Sequence, residues 1–175
     1  MSTLVAHRDP VTAEQFTGLF RHHPGGVAVI TADAGDGPVG LTATSVASVS
    51  VAPPLLVFSA SERSSSTPTL LSAATAVVHL LGADDLGIAE LCATSGVDRF
   101  ADRSLWSRLP SGEPVFHVVG SWIRVRVEER VRAGTATLVV GRAIETSPVR
   151  PEAAPPLVYH ARGWHGLGDH SRLAS

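Results

Sequence analysis

Short hydroxyl side chains are concentrated in the stretch GLTATSVASVSVAPPLLVFSAS, from Gly40 to Ser61. The seven serines and threonines in it that could meet a ligand are Thr42, Thr44, Ser45, Ser48, Ser50, Ser59 and Ser61. Much of the stretch is β-branched and apolar, as in strands beside a core. A buried hydroxyl needs a hydrogen-bond partner, so a purely structural sheet gains little from so many. The pattern predicts a polar ligand held against the sheet, with Gly40–Ser45 at a strand end.

A second group of donors follows directly, in Arg63-Ser64-Ser65-Ser66-Thr67-Pro68. Free backbone N–H groups at the start of the next helix favour an anion. Arg63 offers a planar, permanently charged group for phosphate oxygens, and Ser64, Ser66 and Thr67 add donors. The loop therefore predicts a phosphate site that is not a P-loop. From these residues alone, a solvated serine-rich turn with an ordinary helix cap stays open as the alternative.

Several other chemistries are excluded by the residues themselves. All 14 basic residues are arginine, so a Schiff-base lysine and a P-loop lysine are impossible. No GxSxG motif occurs, so the chain lacks the nucleophile signature of a hydrolase. Cys92 is the single cysteine, which excludes an intramolecular disulfide and predicts an apolar core residue. His160, His165 and His170 lack a ligand-like spacing, and we expect no metal site.

Composition indicates one globular domain over residues 1–175. Hydrophobic residues make up 44% of the chain, and the formal net charge is -2. That balance gives no electrostatic case for nucleic acid or for an anionic membrane. Residues 1–10 lack the apolar region of a signal peptide, and no apolar run is long enough to span a bilayer. We expect a cytoplasmic protein with loose tails at 1–10 and 166–175.

The elements that would position these residues are mostly short strands. Strands are predicted at VAVIT (27–31), LLVFS (55–59), TAVVHLL (75–81) and LVYH (157–160). SWIRVRVEERVR (121–132) alternates apolar and charged residues, as in a half-exposed antiparallel strand that turns at Gly134 and returns.

Three helices complete the prediction. Thr12 and Gln15 form a capping box for a helix that ends near His23. Thr67 is a candidate cap for a short helix with Pro68 in its first turn, and Asp84 or Asp85 caps a third. Many short strands with few helices indicate a mainly β fold, an antiparallel barrel or sandwich.

Several stretches, in order, resemble the flavin reductase-like family of FMN-binding split barrels. The likeness runs from about Phe16 to Trp164. The matching stretches are GGVAVIT (25–31), PVGLTATSVASVSVAPPLLVF (38–58), RSSST (63–67), GVDRFA (96–101), EPVFHVVGSW (113–122), the Gly134-to-Gly141 hairpin and PLVYHARGW (156–164). Where the family usually shows G-M-T-A-S-S, this chain has Leu41 for Met and Thr44 for Ser. The resemblance implies an antiparallel split β-barrel with a few short peripheral helices.

The resemblance also implies a homodimer with a flavin near the subunit interface. Thr42, Ala43, Thr44 and Ser45 would then line the flavin ring and ribityl chain, and the loop Arg63–Thr67 would meet the phosphate. The complete set of expected cofactor-binding residues is Thr42, Ala43, Thr44, Ser45, Ser61, Arg63, Ser64, Ser66, Thr67, Arg99, Phe100 and Trp164. His160 aligns with a family position near the active site and is the candidate catalytic residue.

The implied activity is reduction of FMN or FAD by NADH or NADPH, with reduced flavin passing to a separate oxygenase. In the family, the hairpin after the long charged strand commonly reads G-D-H, whereas here it reads Gly134-Thr135-Ala136. The missing histidine favours two alternatives, a flavin carrier or accessory protein without reductase turnover and an enzyme that uses bound FMN on an organic substrate. A split barrel that binds no flavin is disfavoured by the intact segments Thr42–Ser45 and Arg63–Thr67.

Overall fold

The computed structural model describes residues 10–148 and 154–174 and shows a mainly β chain. Its α-helices in this part are α1 (Ala13–Arg21), α2 (Thr67–Ser72) and α3 (Leu86–Ala93). Its strands there are β1 (Gly25–Gly26), β2 (Ala28–Asp33), β3 (Pro38–Ala43), β4 (Ala47–Val51), β5 (Pro54–Ser61), β6 (Thr75–Leu80), β7 (Ser107–Arg108), β8 (Pro114–Val115), β9 (Trp122–Ala133), β10 (Ala136–Thr146), β11 (Leu157–His160) and β12 (Gly163–Gly166). None of the helices in the described part is long and apolar enough to cross a membrane.

Seven strands form one antiparallel sheet in the order β3-β2-β6-β9-β10-β5-β4. A second sheet has the order β1-β11-β12, and β7 pairs with β8. The prediction of a mainly β, antiparallel fold with a few short helices is confirmed. The single-domain prediction over 1–175 stays a prediction, and the part of it that concerns residues 1–9, 149–153 and 175 lies outside the described residues.

Strand β2, next to the edge strand β3 in the large sheet, is buried on both faces because it lies between two apolar clusters. Its residues Ala28 and Ile30 enter a cluster on one side of the sheet with Phe58 and Val139. Val29 enters the other cluster, which also contains residues of α3 and the aromatic side chains of the 100–116 segment. A continuous apolar run such as VAVIT is expected in a strand that has no solvent face.

The predicted capping box of α1 is present. The Thr12 hydroxyl accepts a hydrogen bond from the Gln15 N–H at 3.2 Å, and the Gln15 side chain accepts from the Thr12 N–H at 2.9 Å. The helix ends at Arg21, two residues before the predicted His23. Its apolar side chains, in contrast, are exposed, and none of the α1 residues is buried.

The predicted cap of α2 is wrong by one residue. Ser66, not Thr67, occupies the cap position, and no side chain caps the helix. The Ser66 hydroxyl donates instead to the Gly40 carbonyl at 2.8 Å, which ties the loop to β3. Local patterns identify the start of a helix but do not show that a hydroxyl has a stronger tertiary partner.

The third helix begins at Leu86, so Asp85, one of the two predicted caps, occupies its N-cap position, although no side chain caps the helix. Ala83–Asp85 forms a single 3-10 turn, and α3 follows from Leu86. Asp85 accepts from the Gly82 N–H at 2.8 Å, so its carboxylate stabilises the turn that precedes the helix. Strand β12 was not predicted from the sequence, because its residues were expected in or next to the loose tail. Part of that predicted tail, Asp169–Ser171, forms a 3-10 turn.

Candidate functional site

An open cleft of about 620 Å³ lies between the end of β3, the loop after β5 and the end of α3; we call it the first cleft. The lining residues from the predicted set are Thr42, Ala43, Thr44, Ser45, Ser61, Arg63, Ser64 and Arg99. Two strands and a helix end, which are far apart in sequence, therefore bring eight of the predicted residues to one surface. Ser59, Ser65 and Ser95 line it as well.

Three hydroxyls of the first cleft keep their donors available. The side-chain oxygens of Ser45, Ser61 and Ser64 accept hydrogen bonds from the N–H groups of Ser59, Arg63 and Ser66, at 3.0, 3.3 and 3.3 Å. Within the described residues none of these three O–H groups donates to the protein. Because a hydroxyl has one donor and two acceptor sites, each can still donate to a ligand. The backbone thus fixes three donors at the cleft surface.

Thr42 is used differently. Its hydroxyl donates to the Ala89 carbonyl of α3 at 2.7 Å, so it joins β3 to the helix that forms the other wall of the first cleft. Both acceptor sites of that oxygen are left over, because nothing among the described residues donates to it. Thr42 therefore fixes the width of the first cleft, in addition to any contact with a ligand.

Two arginines give the first cleft its charge. Arg99 is anchored to the end of α3, where its Nε and Nη2 donate to the carbonyls of Cys92 and Thr94 at 3.2 and 2.8 Å. Arg63 is exposed, and among the described residues its guanidinium has no carboxylate or carbonyl partner. None of the described lining residues is Asp or Glu. A donor-rich, positively charged surface of this kind suits a ligand with an anion and several acceptor atoms.

Three predicted residues lie behind this surface rather than on it. Ser66 and Thr67 are buried, and their hydroxyls donate to the carbonyls of Gly40 and Ser61 at 2.8 and 2.6 Å. Phe100 is buried between Trp106 and Phe116, with ring centroids 4.9 and 5.3 Å away. These residues support the loop and the α3 end from inside the fold.

The backbone N–H groups of the loop are less available than the sequence indicated. Those of Ser64, Ser66 and Thr67 bond within the loop, to the Ser61 carbonyl, the Ser64 hydroxyl and the Ser64 carbonyl. The loop therefore offers its side chains rather than a row of free N–H groups to an anion.

Cys92 lies at the floor of the first cleft and is buried, as predicted for a core residue. Burial raises the pKa of its thiol to about 12, although Arg99 acts in the opposite direction. The thiol is therefore protonated and unreactive at neutral pH. Gly40 leaves room for it, since a Cβ at Gly40 would lie 3.3 Å from the Cys92 sulfur.

His160 lies in an adjoining cleft of about 780 Å³, the second cleft, which shares Thr44 and Ser45 with the first. Its ring centroid is 6.3 Å from that of His22 and 5.8 Å from that of His165. Trp164 packs against Tyr159 at 4.7 Å between centroids and is not among the described residues that line either cleft. The structure therefore brings His160, but not Trp164, next to the predicted flavin residues.

Comparison with known proteins decides the family. The flavin reductase like domain model matches residues 20–168. The chain belongs to the flavin reductase-like family. An NADH:FMN oxidoreductase of Rhodococcus qingshengii is 45% identical over 152 residues, which cover 86% of this chain and 79% of the relative.

Solved structures agree. A flavin reductase domain protein from Arthrobacter sp. FB24 superposes with a TM-score of 0.83 at 31% identity, over 90% of this chain and 96% of the other. The flavin reductase component of a bacterial two-component tryptophan halogenase superposes with a TM-score of 0.80 at 30% identity, over 90% and 99%. The predicted membership of the flavin reductase-like family is confirmed, and these relatives favour the reductase over the carrier and organic-substrate alternatives.

The first cleft fits what a flavin needs. A flavin carries an apolar ring with polar edges, and a phosphate at its tail in FMN. The free hydroxyl donors at Ser45 and Ser61 would meet polar ring or ribityl atoms, and Arg63, Ser64 and Arg99 would meet the anion.

Two residues that the sequence did not predict, Arg21 and Arg162, line the second cleft. They belong to no motif and come from a helix and a hairpin, so local spacing carried no signal for them.

Proposed function

We propose that the protein is an NADH:FMN oxidoreductase that releases reduced FMN to a separate oxygenase. The observation that carries this proposal is the first cleft, where free hydroxyl donors and two arginines face one surface that no described carboxylate lines. Bound flavin would supply the chemistry, because its ring can accept a hydride, that is, two electrons and one proton, from reduced nicotinamide. The protein needs little side-chain chemistry for that transfer, because its main task is to hold the two rings against each other.

The choice of FMN and NADH rests on the relatives and on the cleft. The Rhodococcus relative is named for NADH and FMN. In this chain the neighbouring residues Arg63 and Ser64 both line the first cleft, and this pair would suit a single terminal phosphate. We propose that Thr42–Ser45 and Ser61 face the ring and ribityl chain. Arg63, Ser64 and Arg99 would then face the phosphate.

The remaining predicted residues take indirect or neighbouring roles in this proposal. Ser66, Thr67 and Phe100 would hold the phosphate loop and Arg99 in place. His160 would act from the second cleft on the nicotinamide side of the ring, as the catalytic side chain. Trp164 would support it through Tyr159, which precedes His160 in β11.

We also propose a cytoplasmic homodimer. Val11, which precedes α1, and the apolar side of α1 itself are exposed in the single chain, with exposed fractions of 72% at Val11, 55% at Phe16, 75% at Leu19 and 57% at Phe20. The edge strand β4 adds exposed Val49 and Val51. Apolar patches of this kind usually mark an interface, and a second copy is the partner that the family implies. Light scattering should give twice the chain mass, and Phe16→Ser with Leu19→Ser should shift it towards the monomer.

Steady-state kinetics with each pairing of NADH or NADPH with FMN or FAD tests the assignment. We expect flavin-dependent oxidation with the highest kcat/KM for NADH and FMN, and a hyperbolic dependence on added flavin because the flavin exchanges. Flavin binding without oxidation of either nucleotide would contradict the proposal and would favour the alternative of a flavin carrier or accessory protein. Faster turnover with NADPH or FAD would correct the substrate but keep the reaction.

A further inference from the structure

The second cleft is formed by the end of α1, Gly25, the segment 44–47 and the turn between β11 and β12. Because it shares Thr44 and Ser45 with the first cleft, a ligand lying in one would reach the edge of the other. A protein that brings two substrates together needs two sites in contact. The second cleft satisfies that geometric condition.

The two permanently charged side chains that line the second cleft, Arg21 and Arg162, are both cationic. Arg21, His23, His160 and Arg162 line it, and none of the described lining residues is Asp or Glu. Phe20 and Tyr159 add aromatic surface. Such a lining suits a ligand with anionic groups and a planar ring system.

The arginines of this protein divide into two groups by their partners. Of those in the described part, six form ion pairs, two donate to backbone carbonyls and one stacks on Trp106. These nine are Arg108, Arg124, Arg126, Arg132, Arg142, Arg172, Arg99, Arg130 and Arg103. The other three described arginines, Arg21, Arg63 and Arg162, have no such partner, and all three line the two clefts. Arg63 belongs to the first cleft, which leaves Arg21 and Arg162 as the unpaired cations of the second.

The backbone holds these two arginines together. Ala161 and Arg162 are both in the left-handed region, with φ of 49° and 68°, although neither is glycine. Two-residue hairpin turns with two positive φ values favour Asn-Gly. Ala161-Arg162 is less suited to this conformation, so contacts with the surrounding structure must stabilise it. The Ala161 N–H donates to the Arg21 carbonyl at 3.0 Å, which joins the turn to the end of α1.

We propose that the second cleft binds the diphosphate of the reduced nicotinamide dinucleotide through Arg21 and Arg162. This rests on the proposed function and names the site of its second substrate. The two negative charges of a diphosphate match the two unpaired cations. Anchored there, the nicotinamide ring reaches the first cleft across Thr44 and Ser45, and a planar base has Phe20 or Tyr159 to lie against.

Equilibrium binding gives a test that needs no turnover. ADP-ribose carries the diphosphate without nicotinamide, and calorimetry measures its affinity for the FMN-bound protein. Arg21→Gln and Arg162→Gln should each raise its dissociation constant about tenfold, as expected for loss of a partly exposed charge-assisted contact. Arg172→Gln removes the same charge from a residue outside both clefts and should leave the constant unchanged. A change below twofold in both cleft variants, an equal change in the control, or no binding of ADP-ribose to the wild type in the millimolar range would overturn the proposal.

Kinetics with two hydride donors separates this proposal from the proposed function. Arg21→Gln and Arg162→Gln should lower kcat/KM for NADH about tenfold but leave turnover of N-benzyl-dihydronicotinamide, which has no phosphate, unchanged. Equal losses with both donors would mean that the arginines act on the flavin or the fold, which overturns the proposal. A wild type that oxidises neither donor in the presence of FMN would instead contradict the reductase function itself.

Discussion

Ala136 lies directly opposite Ser61 in the antiparallel pair of β5 and β10. Residues opposite each other in such a pair point to the same face of the sheet. Ser61 lines the first cleft, so a side chain at position 136 would point towards the rim of that cleft. The position at which family members commonly carry histidine is therefore beside the first cleft in this chain, and a small methyl group occupies it.

Restoring that histidine should strengthen nicotinamide binding. We expect Ala136→His to lower the KM for NADH roughly two- to tenfold, the effect of one added hydrogen bond, with little change in FMN affinity. Ala133→His is the matched control because Ala133 lies opposite Ala136 on β9, one strand further from Ser61. If both variants behave like the wild type in steady-state kinetics, position 136 does not face the nicotinamide.

The phosphate site can be isolated by comparing FMN with riboflavin, which lacks the phosphate. Arg63→Ala should raise the dissociation constant of FMN about tenfold, since the exposed guanidinium makes a charge-assisted contact that solvent partly screens. The constant for riboflavin should not change, and Arg172→Ala should alter neither. Flavin fluorescence on titration with protein measures both constants. Equal weakening of FMN and riboflavin would remove the phosphate assignment.

Gly25 is required by a close approach of β1 to the segment shared by the two clefts. A Cβ at Gly25 would lie 2.9 Å from the Thr44 Cβ, whereas a Cβ at Gly26 would meet nothing within 4 Å. Gly25→Ala should therefore displace Thr44 and weaken both FMN and NADH binding, at a cost of about 1–3 kcal/mol in the free energy of unfolding. Gly26→Ala should leave both affinities unchanged. Unaltered binding in Gly25→Ala would show that Thr44 contacts neither ligand.

Stability towards acid should depend on His79. The fully buried ring bonds through Nδ1 to the Val29 carbonyl and accepts through Nε2 from the Phe116 N–H, which fixes it as the neutral Nδ1–H form. Burial lowers the pKa of His79 from 6.5 to about 4, and the hydrogen bond to Val29 opposes this. The unfolded chain thus binds more protons between these values, so stability is full above pH 6.5 and falls as the pH drops towards 4.

That loss should amount to roughly 3 kcal/mol in the free energy of unfolding, from the size of the shift. Urea denaturation at several pH values measures it. In His79→Gln the side chain can still donate and accept but cannot titrate, so the difference in slope between the two proteins isolates the histidine. Parallel pH profiles would mean that another group governs acid stability. Burial raises the pKa of Glu113, but its hydrogen bonds with Ser111, Thr75 and Arg124 outweigh this and lower the pKa to about 2. Its contribution to stability is therefore lost between pH 4.5 and 2, equally in both proteins, and cancels in the difference.

Much of the first cleft could be predicted from the sequence because its residues lie in two short runs. Ser45, Arg63 and Ser64 line the cleft as expected. Ser66 and Thr67 look equally suited in sequence, yet their hydroxyls bond to the carbonyls of Gly40 and Ser61 inside the fold. Side-chain type alone does not distinguish a hydroxyl that faces a ligand from one that satisfies a buried carbonyl.

The second cleft could not be predicted in the same way. Arg21 ends a helix near the start of the described chain, and Arg162 lies in a turn near its end; they meet because β11 pairs with β1 just after α1. Local patterns predicted α1 and β11 correctly, since a capping box and an apolar run depend on neighbouring residues. The pairing of β1 with β11 is a long-range contact that periodicity does not contain.

The most direct test of the central claim is anaerobic mixing of the FMN-bound protein with NADH in a stopped-flow spectrometer. We expect the visible absorbance of oxidised FMN to bleach fully, with one FMN reduced for each NADH oxidised, at a rate far above that of free FMN with NADH. Unchanged absorbance of demonstrably bound FMN would contradict it, and would mean that this fold holds flavin for a purpose other than its reduction.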